Sequence, residues 1–343
     1  MAAIGNSFPS LIDHFKSVDK NGNYLPTIEA LTVLNPIMRD AYVEEANNGF
    51  SHLNVTRTGL PQPTWGKLYQ GIPQSKSTKQ QVEDTSGFVE SLATVDTRLL
   101  NYKKNPAQAR ADEANAHREA MAQDVQTNFF YADTATTPER FKGIAARYNS
   151  LAPSADGKSY VIDAGGTGVD NTSIWLIGWG RGKTGLFYPE GSRAGIIRED
   201  KGEQRTTDDL GNPYYVKEEY FRQDVGVTTG DYRYNVRIAN LDVSDLRAGN
   251  VDIYALLRKA MYRVHSTYDG AMADAYLASG GANGARSVIY LNRDVMEALD
   301  AQTTNDNKVE LRPADLEGKM IETYRRLPIR MTDAIINAEA RVQ

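Results

Sequence analysis

Hydrophobic positions in NPAQARADEANAHREAMAQDVQTNFFY (105–131) return at helical spacing: Ala114, Arg118, Met121, Val125 and Phe129 fall on one side, with Ala elsewhere. Asn105 is placed as an N-cap and Pro106 sits in the first turn. The pattern predicts a helix of about twenty-five residues, a rod of roughly 38 Å at a rise of 1.5 Å per residue. A second apolar face, Ile253, Leu256, Leu257, Ala260, Met261 and Val264, predicts an amphipathic helix over 251–266. Asn292 is placed to cap a helix running through Leu299, and PERFKGIAAR (138–147) predicts a short one. Before residue 45 the apolar pattern is weak. It predicts helical pieces at 8–18 and 27–34, then a helix restarting at Asn35-Pro36 and running through Tyr42 and Val43. That segment reads as an arm that packs on something else.

Elsewhere the period is that of strands. SIWLIGWGRGKTGLFYPEG (173–191) predicts a β-hairpin: Ile174 to Trp179 going out, Gly180 to Gly185 turning, and Leu186-Phe187-Tyr188 returning. Tyr160-Val161-Ile162, Tyr214-Tyr215-Val216, the run Tyr232 to Ile238 and RSVIYL (286–291) predict further strands, with a turn at 208–212 and a Gly-rich loop at 279–285. Leu327-Pro328-Ile329-Arg330 and Ile335-Ile336 predict short closing strands.

Residues 46–97 differ from both patterns. Leu53-Asn54-Val55-Thr56 and Phe88-Val89-Glu90-Ser91-Leu92 are β-like, and Gly, Pro, Gln, Ser and Thr fill the space between. They predict one long antiparallel hairpin with an irregular tip near 57–80. From Ala46 to Val82 the chain carries Arg57, Lys67, Lys76 and Lys79 and no acid. Such a hairpin buries no core alone, so it must lie on another surface, and its charge favours an acidic one. Trp65, Leu68, Tyr69 and Ile72 are candidate anchors near the tip.

Composition narrows the function. The 343 residues are 41% hydrophobic and 24% charged, as in folded soluble proteins, and no run of eighteen apolar residues spans a membrane. The N-terminus does not read as a secretory signal. With no cysteine there is neither a disulfide framework nor a thiolate metal site. A net charge of −5 argues against whole-surface nucleic-acid binding.

The motifs that hint at chemistry fail on spacing. GWGRGKTG resembles a phosphate loop, but Ile177 stands where the first Gly is required, and Pro189 follows instead of a helix. Asp19-Lys20-Asn21-Gly22-Asn23 opens like a calcium loop, but Tyr24 and Ala30 occupy the positions of the turn Gly and the bidentate Glu. Glu190 breaks a nucleophile elbow at Ser192, and no helix follows Gly165–Gly168. The four His are scattered. The adjacent pairs Glu44-Glu45 and Glu218-Glu219 read as solvated. No catalytic residue, cofactor or metal ligand is expected.

Four long segments, in order along the chain, carry a resemblance: FFYADTATTPERFKGIAARYNSL (129–151), DAGGTGVDNTSIWLIGWGRGKTGLFYPEGSRAG (163–195), YRYNVRIANLDVSDL (232–246) and LPIRMTDAIINAEARV (327–342). Together they resemble the major capsid proteins of short-tailed phages. The resemblance implies an α+β fold of the Hong Kong 97 type: an N-terminal arm (1–45), an extended loop (46–97), a peripheral domain (98–150, 226–249 and 319–343) whose spine is the helix at 105–131, and an axial domain (151–225 and 250–318). It further implies self-assembly into pentamers and hexamers of an icosahedral head in the virion. Scaffolding, portal and decoration proteins are the implied partners, and double-stranded DNA is enclosed without sequence-specific contact. The chain shows no scaffolding extension, so a separate scaffolding protein is expected. A nanocompartment shell and an α+β enzyme are the alternative readings.

Overall fold

The computed structural model describes residues 34–101, 105–152, 160–208, 210–264, 286–305, 311–316, 319–325 and 327–343. The helix expected at 8–18 and the loop expected at 279–285 lie outside these residues, as does the helix expected at 27–34 apart from Leu34, which is coil. In chain order the elements are α1 (Ile37–Asp40), β1 (Val43–Glu45), β2 (Ser51–Gly59), β3 (Thr78–Thr85), β4 (Gly87–Asp96), α2 (Thr97–Asn101), α3 (Pro106–Tyr131), β5 (Val161–Asp163), β6 (Asn171–Trp179), β7 (Thr184–Tyr188), β8 (Ile197–Thr207), β9 (Pro213–Thr229), β10 (Val236–Asp242), α4 (Val243–Arg247), α5 (Ile253–Arg263), β11 (Arg286–Leu291), α6 (Arg293–Asn305), β12 (Leu311–Leu316), β13 (Lys319–Tyr324) and β14 (Leu327–Met331). The described residues fall into two compact units, one of 88–125 and 193–224, the other of 34–87, 126–192 and 225–343.

The first unit is built on the long helix. Ala114 and Met121 pack with Ala93 and Phe221, and Val89 and Ile196 border the cluster. Arg118, expected on that face, is exposed: its long stem carries the charge to water beside Asn115. Strands β8 and β9 form a long antiparallel hairpin from Ile197↔Arg222 to Thr207↔Pro213. Its turn is held by Asp208 Oδ1, which accepts from the amides of Leu210 at 3.0 Å and Asn212 at 2.7 Å. β8 (IREDKGEQRTT) has almost no apolar side chain, so hydrophobic periodicity gave no sign of it; backbone pairing carries it. Glu219, read as solvated, is buried and salt-bridged to Arg110 and Arg198, each at 2.7 Å. A carboxylate so buried persists only with such partners.

The second unit is organised around β6, whose nine residues are all buried. It runs antiparallel to β10 on one edge (Leu176↔Val236, Ile174↔Ile238) and to β11 on the other (Ile177↔Val288, Trp175↔Tyr290). Its side chains alternate between two cores. Ile174 and Leu176 join Leu256, Leu257 and Ala260 of α5 and Val295 and Leu299 of α6. Trp175 and Trp179 face the end of α3: Phe130 lies 6.0 Å from Trp175 and Phe129 5.4 Å from Trp179, centroid to centroid. Beyond β11 the sheet continues through the parallel β14, then β13 and β12. β5 pairs in parallel with β10, and β7 lies between β1 and β9. As expected, α5 buries the whole predicted face, and Asn292 caps α6 through Val295 N–H at 2.9 Å.

Several expectations are corrected. β6 and β7 do not form a hairpin ladder. They meet only at Trp179↔Thr184, because both edges of β6 and both edges of β7 are taken by other strands. The turn between them is real: Lys183 N–H donates to Gly180 O at 3.0 Å, and Gly182 has φ +69°. The helix after Pro36 stops at Asp40 because Val43–Glu45 are drawn into β1 beside β7. Tyr232–Tyr234 is a 3-10 turn preceding β10 rather than strand, and Ile335-Ile336 lies outside any strand. Residues 138–147 form turns and no helix. Their backbone is used instead to satisfy the carbonyls that α3 leaves open at its last turn. Gly143, Ile144 and Ala145 N–H donate to Ala132, Phe129 and Phe130 O at 2.8, 2.9 and 2.8 Å. A Cβ at Gly143 would meet three carbonyl oxygens within 2.9 Å, so only glycine permits this approach.

The chain's last residues are locked to β6 and β10 by a buried ion pair. Arg237 Nη2 contacts Glu339 Oε2 at 2.8 Å, with the side chains 5% and 3% exposed. Arg237 also donates to Ser173 Oγ and Tyr148 O, and its guanidinium lies 5.0 Å from the Trp175 ring centroid. Ser173 and Tyr131 donate to Glu339; burial, then the nearby Glu339 charge, holds the Tyr131 hydroxyl far above its usual range. Glu339→Ala would strand the guanidinium and should cost about 3–5 kcal/mol, read as a lowered urea midpoint. An unchanged midpoint would contradict the pair's role.

Candidate inter-subunit surface

The long hairpin is made by β2 and β3, in register from Ser51↔Thr85 to Gly59↔Thr78 with an irregularity after Arg57. Its return strand is Thr78–Thr85, not Phe88–Leu92. TKQQVEDT carries one apolar residue, so strand periodicity hid it, while Phe88–Leu92 belongs to β4, a neighbour of β9. The base of the hairpin is pinned. Asp84 takes a salt bridge from Arg147 at 2.8 Å, and Arg147 also donates to Val227 O at 3.0 Å. Asn54 Nδ2 donates to Thr228 Oγ1 and Thr56 Oγ1 to Gly230 O at 3.0 Å. His52 is buried against Phe187 and sits 3.6 Å from Glu44.

Beyond Gly59 these anchors end. Residues 60–77 form no regular structure. Two local bonds shape them: Gln70 N–H to Lys67 O at 3.3 Å, and Ser75 Oγ–H to Gln62 O at 3.1 Å. Trp65, Leu68, Tyr69 and Ile72 all lie on this tip, 94%, 92%, 107% and 82% exposed. Arg57, Lys67, Lys76 and Lys79 are exposed along the same hairpin. Water-exposed side chains of this size each forgo about 1.5–3 kcal/mol of burial.

A second surface was not singled out in the sequence. Within the second unit, α6, β14 and residues 34–39 wall an open groove of about 770 Å³. Leu34, Met296, Ile329 and Met331 are its apolar lining, and Glu297, Asp300 and Glu322 are its acidic lining. Two of its arginines are held by acids of the same chain. Arg293 makes two bonds to Asp333, at 2.6 and 2.9 Å, and Arg330 lies 3.4 Å from Asp40. Burial, then the nearby Asp300 charge, raises the Glu322 carboxyl. The bonds from Arg293 lower that of Asp333 despite opposing desolvation. The 297/300 spacing was a usable signal, since i and i+3 share a helix face; nothing local linked either residue to Glu322.

Among the described residues no cluster of three or more His, Asp or Glu is arranged to hold a metal, and no helix is long and apolar enough to cross a membrane. What the geometry offers is surface for another macromolecule.

The mixed α+β architecture, with its long helix, is that of the HK97-like shell proteins. The family model "Major capsid protein GP7" matches residues 19–343, and the chain belongs to that family. It is a major capsid protein of a tailed bacteriophage head, a structural and non-enzymatic component of the virion that assembles with itself into the capsid lattice. A cryo-EM structure of bacteriophage Epsilon15 is similar over 100% of this chain and 99% of its own, with 30% identity and a TM-score of 0.74. The bacteriophage JBD30 capsid aligns over 95% of this chain and 98% of its own, with 11% identity and a TM-score of 0.48. An encapsulin complex from Synechococcus elongatus aligns over 68% and 95%, with 9% identity and a TM-score of 0.43. No curated protein sequence matches the chain. Family membership sets aside the enzyme and nanocompartment readings.

The Arg293–Asp333 pair that shapes the groove gives a pH prediction. With the folded carboxyl lowered, its contribution is complete above the unfolded value of about 3.9 and is lost as pH falls through the folded value. Asp333→Asn should lower stability near neutrality and flatten its decline in acid, measured by thermal unfolding between about pH 6 and pH 3.

Proposed function

We propose that this capsid protein assembles as pentamers and hexamers that close an icosahedral head around double-stranded DNA, and that 46–97 is the extended loop, whose β2–β3 hairpin reaches onto the adjacent copy. The observation that carries this is the tip itself: four large apolar side chains, each more than four-fifths exposed, on a hairpin fixed at its base. In a shell these would be covered by a neighbour. Trp65, Leu68, Tyr69 and Ile72 serve as anchors, and Arg57, Lys67, Lys76 and Lys79 add register and a salt-sensitive attraction. Ring contacts between identical chains are heterologous, and closure of five- and six-fold rings limits growth to a shell.

In this reading 1–45 is the arm. Residues 98–150, 226–249 and 319–343 form the peripheral domain, and 151–225 with 250–318 form the axial domain clustered at ring centres. Scaffolding and portal proteins, and a decoration protein, are the further partners. DNA is enclosed without sequence-specific contact, in keeping with a net charge of −5.

Replacing residues 60–77 by Asn-Gly keeps β2 and β3 joined by a two-residue turn. The variant should remain folded by circular dichroism, as a monomer or capsomer, and electron microscopy should find no closed shells. Normal shells from it would overturn the role of the hairpin.

A further inference from the structure

The hairpin tip and the groove are complementary in polarity and charge, and the tip's large apolar side chains and the groove's Leu34 and Met331 are exposed. We propose that the groove between α6, β14 and residues 34–39 receives the hairpin tip of a second copy of this chain. Trp65 and Leu68 would seat on Leu34, Met296, Ile329 and Met331, and Lys67 would lie against Glu297 and Glu322. The inference rests on the reading that the hairpin contacts a neighbouring copy, and it names the surface that receives it.

Size and polarity agree first. A cleft of about 770 Å³ with an apolar lining has room for one aromatic and one aliphatic side chain. Its walls leave Leu34 and Met331 42% and 40% exposed, more than a finished core allows. Charge agrees next. From Ala46 to Val82 the hairpin is purely cationic, whereas Glu297 and Glu322 line the groove, and Arg293 and Arg330 are matched by Asp333 and Asp40. The remaining arginine, Arg39, is exposed at the rim, where the face of an arriving indole suits a guanidinium. Reach agrees as well: β2 alone extends about 30 Å, and the eighteen residues of the tip lie beyond it. Because tip and groove are different surfaces, the contact is head-to-tail and can propagate around a ring.

The chain has no cysteine, so introduced thiols report cleanly. Assembled particles of the full chain carrying both Leu68→Cys and Met331→Cys are treated with a short bis-maleimide and denatured. A ladder of covalent multimers ending at five or six copies is expected. Leu68→Cys paired with Val169→Cys, on an exposed loop elsewhere, should give none. In parallel, Lys67→Glu should reduce shell yield, and adding Glu322→Lys should restore it. Particles that form but give no Leu68–Met331 ladder, or a charge reversal that Glu322→Lys does not rescue, would overturn the groove as receptor. The variant lacking 60–77 separates the two readings. If it fails to assemble while the groove tests fail, the hairpin contact stands and its receptor lies elsewhere. If it assembles normally, both readings fall.

Discussion

Everything in the second unit depends on one strand having no free side. β6 is buried on both faces and hydrogen-bonded along both edges. A strand in that position cannot slip by one residue without exchanging Ile174 and Leu176 for Trp175 and Trp179, which would put indoles into the helix-facing core and empty the other. Its register therefore fixes where α5 and α6 lie on one face and where α3 ends on the other. The Arg237–Glu339 pair extends the same constraint to the chain's last residues. A buried guanidinium demands its carboxylate, so the segment carrying Glu339 is held against β6.

That rigidity explains why the two candidate contact surfaces can serve assembly. The hairpin is fixed at its base by Asp84, Asn54, Thr56 and His52, and the large apolar side chains of its tip are exposed. The groove is walled by α6, whose N-terminus is capped by Asn292 directly after β11, and by β14, which pairs with β11. One surface offers apolar side chains and cations on a long lever, the other an apolar lining with acids. This is consistent with the failure of every catalytic motif on spacing alone.

Legibility in the sequence followed burial. α5 was readable because one face is apolar at helical spacing, α3 because an unbroken Ala-rich run follows Asn105-Pro106, and β11 because it is a continuous apolar run. β3 and β8 were not, since TKQQVEDT and IREDKGEQRTT present polar groups on both faces and are held by backbone ladders that leave no trace in side-chain pattern. Residues 138–147 looked helical by propensity, but tertiary demand won: the open carbonyls at the end of α3 recruited their amides. Glu219 looked solvated beside Glu218, and only the arrival of Arg110 and Arg198 makes its burial tolerable.

The sequence by itself determined the family, the long helix, a cationic stretch carrying large apolar side chains, and the failure of its catalytic-looking motifs on spacing. These depend on local order and spacing, which one dimension records. The tertiary structure alone decided which strands pair, that the 173–191 segment splits between different neighbours and forms no ladder with itself, and that Glu297, Asp300 and Glu322 converge beside an apolar groove. Pairing is a competition among edges, and convergence joins residues far apart in the chain, so both are settled only when the whole sheet closes.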